Sequence, residues 1–111
     1  MSEYDFQRRV MDCAKLHGWK RLHIRASPQR FGQSWRVPYE GDSGLPDLIL
    51  ARAGMVLLAE LKTATGKTTP EQQAWLAAAG VNGRLWRPAQ WNEILAELSA
   101  TPRPETEETP K

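Results

Sequence analysis

Apolar residues along this chain switch between two spacings. From Ser2 to about His17, Phe6, Val10, Cys13 and Ala14 fall at helical intervals and form one stripe. Ser2 can cap that helix and Gly18 can end it. Over residues 19–26 the pattern becomes an alternation, with Leu22, Ile24 and Ala26 on one side and Arg21, His23 and Arg25 on the other. That is the signature of a half-buried strand. Residues 27–44, SPQRFGQSWRVPYEGDSG, have no periodicity and read as a long loop of the kind that usually carries function or disorder. Two apolar runs at 46–52 and 55–62, joined at Ala53-Gly54, predict a hairpin.

Thr69-Pro70-Glu71-Gln72 then opens a helix with Trp75, Leu76 and Ala79 on its apolar side and Gly80 at its end. GRLWRP, 83–88, predicts a fourth strand. PAQWNEILAELSA, 88–100, predicts a last helix with Trp91, Ile94, Leu95 and Leu98 inward. Trp75, Trp86 and Trp91 occupy core-like positions, and Trp19 is ambiguous. The order αβββαβα predicts an α/β (α+β) fold, a mixed sheet with an antiparallel hairpin and flanking helices. The tail TPRPETEETPK has no apolar anchor, so one domain is expected over 1–100 and disorder over 101–111.

The 111 residues, 41% apolar, suffice for one domain with one modest core. No run approaches the roughly 18 apolar residues of a membrane span, and MSEYDFQRR has no signal-peptide core. A cytoplasmic, non-secreted protein is expected. The single Cys13 cannot form an internal disulfide, and the two histidines lack zinc-ligand spacing. Net charge is only +2, yet no acid occurs between Asp12 and Glu40, an interval holding Lys15, Lys20, Arg21, Arg25, Arg30 and Arg36. Phe31, Trp35 and Tyr39 are interleaved with the last of these. Cations mixed with aromatics suit nucleic acid, through phosphate contact and base stacking. Arg25, Arg30, Trp35 and Arg36 are therefore the candidate DNA contacts, with Lys67 and His23 as further candidates. A solvated basic surface is the plain alternative.

The hairpin carries charges where a core should be. A two-residue turn at Ala53-Gly54 sets Asp47 opposite Glu60, with Lys62 on the face of Glu60; a three-residue turn would shift the register by one. Directly opposed side chains have Cβ atoms about 4.5–5.5 Å apart, so two carboxylates there repel unless a cation lies between them. Carboxylate oxygens in a small cage suit Mg²⁺ or Mn²⁺, with water and a substrate phosphate completing the shell. Lys62 could then orient an attacking water or stabilise charge on phosphorus-bound oxygen. The ordinary alternative is a surface salt bridge, because an E-x-K triplet alone is common. Glu3 lies on the helix stripe, so its carboxylate projects past the core or into a polar pocket; a first-turn acid favoured by the helix dipole is equally ordinary. Asp42 could approach a metal, although acids in glycine-rich turns mostly form the turn.

Three segments in order, Gly44-Leu45-Pro46-Asp47, Glu60-Leu61-Lys62, and Gly66-Lys67 through Thr69-Pro70-Glu71-Gln72, strongly resemble the VRR-NUC family of the PD-(D/E)XK nuclease superfamily. The resemblance spans roughly Ser2 to Leu98. It implies a restriction-endonuclease-like core and a Mg²⁺-dependent DNA endonuclease, with Mn²⁺ substituting. Asp47, Glu60 and the Leu61 carbonyl are implied as metal ligands and Lys62 as catalytic. Glu3, through a second metal or a water, and Gln72 are implied to line the site. Gln72 also completes a capping box with Thr69. Small stand-alone members resemble Holliday junction resolvases of phage or bacteria, which act as two-fold dimers on DNA. A nicking or flap nuclease and a non-cleaving DNA-binding module are the competing expectations.

Overall fold

A computed structural model describes residues 1–24 and 40–102 in full, and 29–31 and 34–36 as backbone. Helix α1 (Glu3–Leu16) leads into strand β1 (Lys20–His23), and β2 (Gln29–Phe31) and β3 (Ser34–Arg36) form a small ladder of their own. Strands β4 (Leu48–Arg52) and β5 (Met55–Leu61) form the central hairpin. Helix α2 (Pro70–Ala79), strand β6 (Gly83–Trp86) and helix α3 (Trp91–Ser99) follow. The main sheet runs β1-β4-β5-β6, antiparallel except between β5 and β6. This is the mixed, helix-flanked sheet that the element order predicts. No helix among the described residues is long and apolar enough to cross a membrane.

One face of the sheet carries the core. Leu48 and Leu50 of β4, Leu57, Ala59 and Leu61 of β5, and Trp86 of β6 are buried with Phe6, Val10, Cys13 and Ala14 of α1 and Ile94 and Leu98 of α3. The α1 stripe is the one its spacing predicts, and Ser2 Oγ accepts the Asp5 N–H at 3.0 Å as its cap. Trp19 is buried too, donating its ring N–H to the Leu98 carbonyl at 2.9 Å. Arg52, at the end of β4, stacks on Trp19 and donates to the carbonyls of His17, Leu98 and Ala100. One cation thus closes the C-terminal ends of α1 and α3, where carbonyls lack helical partners and the dipole favours positive charge.

The structure corrects four expectations. Strand β1 is turned over relative to its alternation: Leu22 is 55% exposed, whereas Arg21 donates to the Met11 carbonyl and His23 pairs with Gln7, both on α1. At this edge strand α1 offers a main-chain acceptor to Arg21 and a side-chain amide donor to His23, and these polar partners hold the polar side of β1 against the helix. Helix α2 has no buried residue, so Trp75 is not a core residue, and Leu95 of α3 faces outward. α2 rests on β6 at short range, where a Cβ on Gly83 would lie 3.0 Å from the Leu76 carbonyl and 3.3 Å from Ala79 Cβ. Small residues let the helix lie close without inserting anything deep. Finally, the stretch read as an aperiodic loop contains β2 and β3, whose three-residue strands are too short to display alternation. The tail beyond 102 lies outside the described residues.

The chain enters β4 through Gly44, at φ +93°. A Cβ there would meet the Glu71 carbonyl carbon at 2.5 Å and the Gln72 nitrogen at 2.8 Å. The first turn of α2 therefore sits against bare backbone. Gly54 is also at positive φ, but a Cβ there would meet nothing within 4 Å. Gly44→Ala is expected to cost about 2–4 kcal/mol, combining left-handed strain with a clash against backbone. Gly54→Ala is expected to cost only the strain, about 1–2 kcal/mol. Urea unfolding of the two variants measures the difference.

Candidate metal centre

The site lies where the hairpin opens. Leu48 pairs with Ala59, and the same register sets Asp47 against Glu60. That register follows from the two-residue turn at Ala53 and Gly54, whose positive φ values, 52° and 83°, match the strand twist. Alternate residues of β5 turn their amides to opposite neighbours. The Lys62 N–H goes to the Trp86 carbonyl at 3.0 Å, so the Leu61 N–H faces β4. There it meets the Asp47 side chain, whose Oδ2 accepts it at 2.9 Å. The Leu61 carbonyl points to the same side as its N–H, towards Asp47.

Glu60 is 2% exposed and is the buried charged residue on the sheet face opposite the core. Its Oε2 accepts from Gln72 Nε2 at 3.0 Å and lies 3.5 Å from Lys62 Nζ. Its Oε1 is buried without a hydrogen-bond partner among the described residues. An unpaired buried carboxylate oxygen is costly, by about 1–3 kcal/mol or more. Burial, then the neighbouring Asp47 charge, pushes the Glu60 carboxyl up to about 7, against the opposing pull of Lys62. Relief of both the orphan oxygen and the carboxylate repulsion requires a cation or a proton between the two acids.

Gln72 serves two partners at once. Its Oε1 accepts the Thr69 N–H at 2.9 Å, Thr69 Oγ1 accepts the Gln72 N–H at 3.1 Å, and its Nε2 reaches Glu60. The capping box and the site contact coexist. The connection after β5 is held by Arg87, which donates to the Thr63 and Gly66 carbonyls at 2.7 and 2.6 Å. Arg87 escapes sequence reasoning because its partners lie more than twenty residues upstream, and no local pattern marks it. Gly44 was legible as part of a motif, but its packing role was not.

The other candidates fall elsewhere. Glu3 is an exposed first-turn residue of α1. Among the described residues no three His, Cys, Asp or Glu side chains gather into a metal-holding group, so Glu3 does not join Asp47 and Glu60. His23 faces Gln7 of α1, and Lys67 is exposed beside the capping box. Asp42 is exposed, and its main-chain carbonyl accepts the Trp75 ring N–H at 3.2 Å. Arg25 and the side chains of Arg30, Trp35 and Arg36 lie outside the described residues. The available donors are thus two carboxylates and a main-chain carbonyl. All are oxygens, the set that fits Mg²⁺ or Mn²⁺ with water and phosphate making up the remainder. Comparison with protein-family models, curated proteins and solved structures finds no match to this chain.

The raised Glu60 carboxyl makes a signed prediction. Because the folded state holds this proton more tightly, the metal-free protein loses stability as pH rises from the ordinary glutamate value of 4.5 through about 7. The loss is up to about 3 kcal/mol from this group. Glu60→Gln removes the charge and is expected to melt higher than the native protein at pH 8 in EDTA. The gap should close near pH 5, and Mg²⁺ should raise the melting temperature of the native protein only. Thermal melts at the two pH values, with and without Mg²⁺, read all three effects.

Proposed function

We propose that this protein is a Mg²⁺-dependent DNA endonuclease. The observation that carries the proposal is the buried Glu60 carboxylate, opposed to Asp47 and paired with Lys62, with one oxygen left without a partner among the described residues. A salt bridge alone has no use for that oxygen, and a binding module has no use for a pocket of buried like charges. Asp47, Glu60 and the Leu61 carbonyl would hold the metal, and Mn²⁺ would substitute. When bound, the metal supplies Lewis acidity and a template for the scissile phosphate. Glu60 and Asp47 provide fixed negative charge that draws the cation in. The Lys62 ammonium lies at the mouth of the pair, where it can donate to a phosphate oxygen or orient the attacking water. The acid-free interval from Asp12 to Glu40 would carry the DNA backbone.

The finer reading is a structure-selective, Holliday junction resolvase-like enzyme acting as a two-fold dimer. It rests on the resemblance of the G-x-P-D, E-x-K and T-P-E-Q segments. The test is cleavage of a mobile four-way junction beside flap, linear duplex and single-stranded DNA. Paired symmetrical cuts with Mg²⁺, absent with EDTA and lowered at least 10³-fold in Asp47→Ala and Lys62→Ala, are expected. Cutting confined to flaps or nicks would replace the resolvase with another nuclease. Salt-sensitive binding with no cleavage on any substrate would replace it with a DNA-binding module.

A further inference from the structure

We infer that Thr69 is a positioning residue for the proposed metal centre, acting through the orientation of the Gln72 side-chain amide. This inference rests on the metal-site reading of Asp47 and Glu60. A glutamine amide has one accepting end and one donating end. At the start of α2 those ends are assigned by the cap. The Thr69 N–H needs an acceptor, so Gln72 Oε1 must face it, at 2.9 Å. That leaves Nε2 as the end facing Glu60, where it donates to Oε2 at 3.0 Å. Thr69 Oγ1 closes the box by accepting the Gln72 N–H, which holds the first turn in the conformation that brings the side chain over β5.

The consequence lies at Glu60. With Oε2 engaged by Gln72 and Lys62, rotation of the carboxylate is restrained, and Oε1 is the oxygen without a partner among the described residues. A carboxylate held by one oxygen presents the other in a fixed direction. Partners behind a ligand set its geometry, and their loss typically weakens metal affinity about 10–100-fold. Gly44 supports the same device from the other side, because its bare backbone lies against Glu71 and Gln72. Thr69 itself touches neither Glu60 nor Asp47 among the described hydrogen bonds, so its effect passes entirely through Gln72.

The experiment uses the full chain with Mn²⁺ alone as probe, its free concentration read by electron paramagnetic resonance, together with the Gln72 side-chain NH₂ resonances in ¹⁵N-labelled metal-free protein. Thr69→Val keeps the shape and removes the cap acceptor. It is expected to move the Gln72 NH₂ signals towards the solvent-exposed position and to weaken Mn²⁺ about tenfold. Thr69→Ser restores the acceptor and should return both readouts to native values. Ser2→Ala removes the side-chain cap of a different helix, α1, with no hydrogen bond to Gln72 or Glu60 among the described residues, and should lower the melting temperature without moving either readout. Native Mn²⁺ affinity in Thr69→Val, with the Gln72 signals unmoved, would overturn the inference. So would equal weakening in Ser2→Ala, which would reduce the effect to general stability. Failure of the native protein to bind Mn²⁺ at all would instead overturn the metal-site reading, and the Gln72 signals would still decide whether Thr69 sets the amide.

Discussion

The site depends on the register of one hairpin. Ala53 and Gly54 both adopt positive φ, and the resulting two-residue turn pairs Arg52 with Met55, Leu48 with Ala59 and, at the open end, Asp47 with Glu60. A slip of one residue would exchange the two faces of β5. Leu57, Ala59 and Leu61 would leave the core, and Glu60 would enter it. The hydrophobic pattern and the charged pair therefore enforce the same register, and burial of the leucines secures the position of the acids. Ala53 takes a conformation that costs an L-residue about 1–2 kcal/mol, a strain the ladder repays through the packing it aligns.

Around this register the protein concentrates unfavourable electrostatics in one place. Several other ionic groups among the described residues are paired: Arg84 grips Glu97 at 2.7 Å, Arg8 meets Asp12, and Arg52 covers three carbonyls. Among the described residues Glu60 alone of the charged groups is buried, next to another carboxylate and with one oxygen left without a hydrogen-bond partner. A sheet of this size could easily bury a leucine at that position. Retaining the acid sacrifices stability, a cost that the proposed cation site would account for. Gln72 and Lys62 supply only part of the compensation, both at the same oxygen.

The two faces of the sheet divide the work. The α1–α3 face is a continuous apolar layer that gives the fold its stability. The α2 face is thinner: α2 buries no residue fully, and it reaches the sheet through Gly83 and the Gly44 segment. That shallow packing brings polar side chains of a helix start, rather than apolar ones, over the end of β5. The same division explains β1. Its polar side faces α1, where the Met11 carbonyl accepts from Arg21 and Gln7 Nε2 donates to His23 Nδ1, while Leu22 is left on the thin face.

The order of the main-sheet strands and helices, the α1 stripe, the presence of the hairpin and the capping box were legible in the chain because each rests on interactions between residues near in sequence. Apolar spacing, turn chemistry and caps report on the next few residues; they joined Gln72 to Thr69 and set Asp47 opposite Glu60 for one of two possible turns, and the positive φ of Ala53 and Gly54 chose between them. What the tertiary structure decided rests on partners far apart in the chain. The inverted face of β1 depends on polar partners offered by α1, the partial burial of Trp75 on how shallowly α2 lies, and the role of Arg87 on carbonyls more than twenty residues upstream. The isolation of Glu60 Oε1 belongs to the same group. A sequence pattern can set a carboxylate in a strand, but whether each of its oxygens finds a donor is settled only when helix, sheet and loop meet in three dimensions.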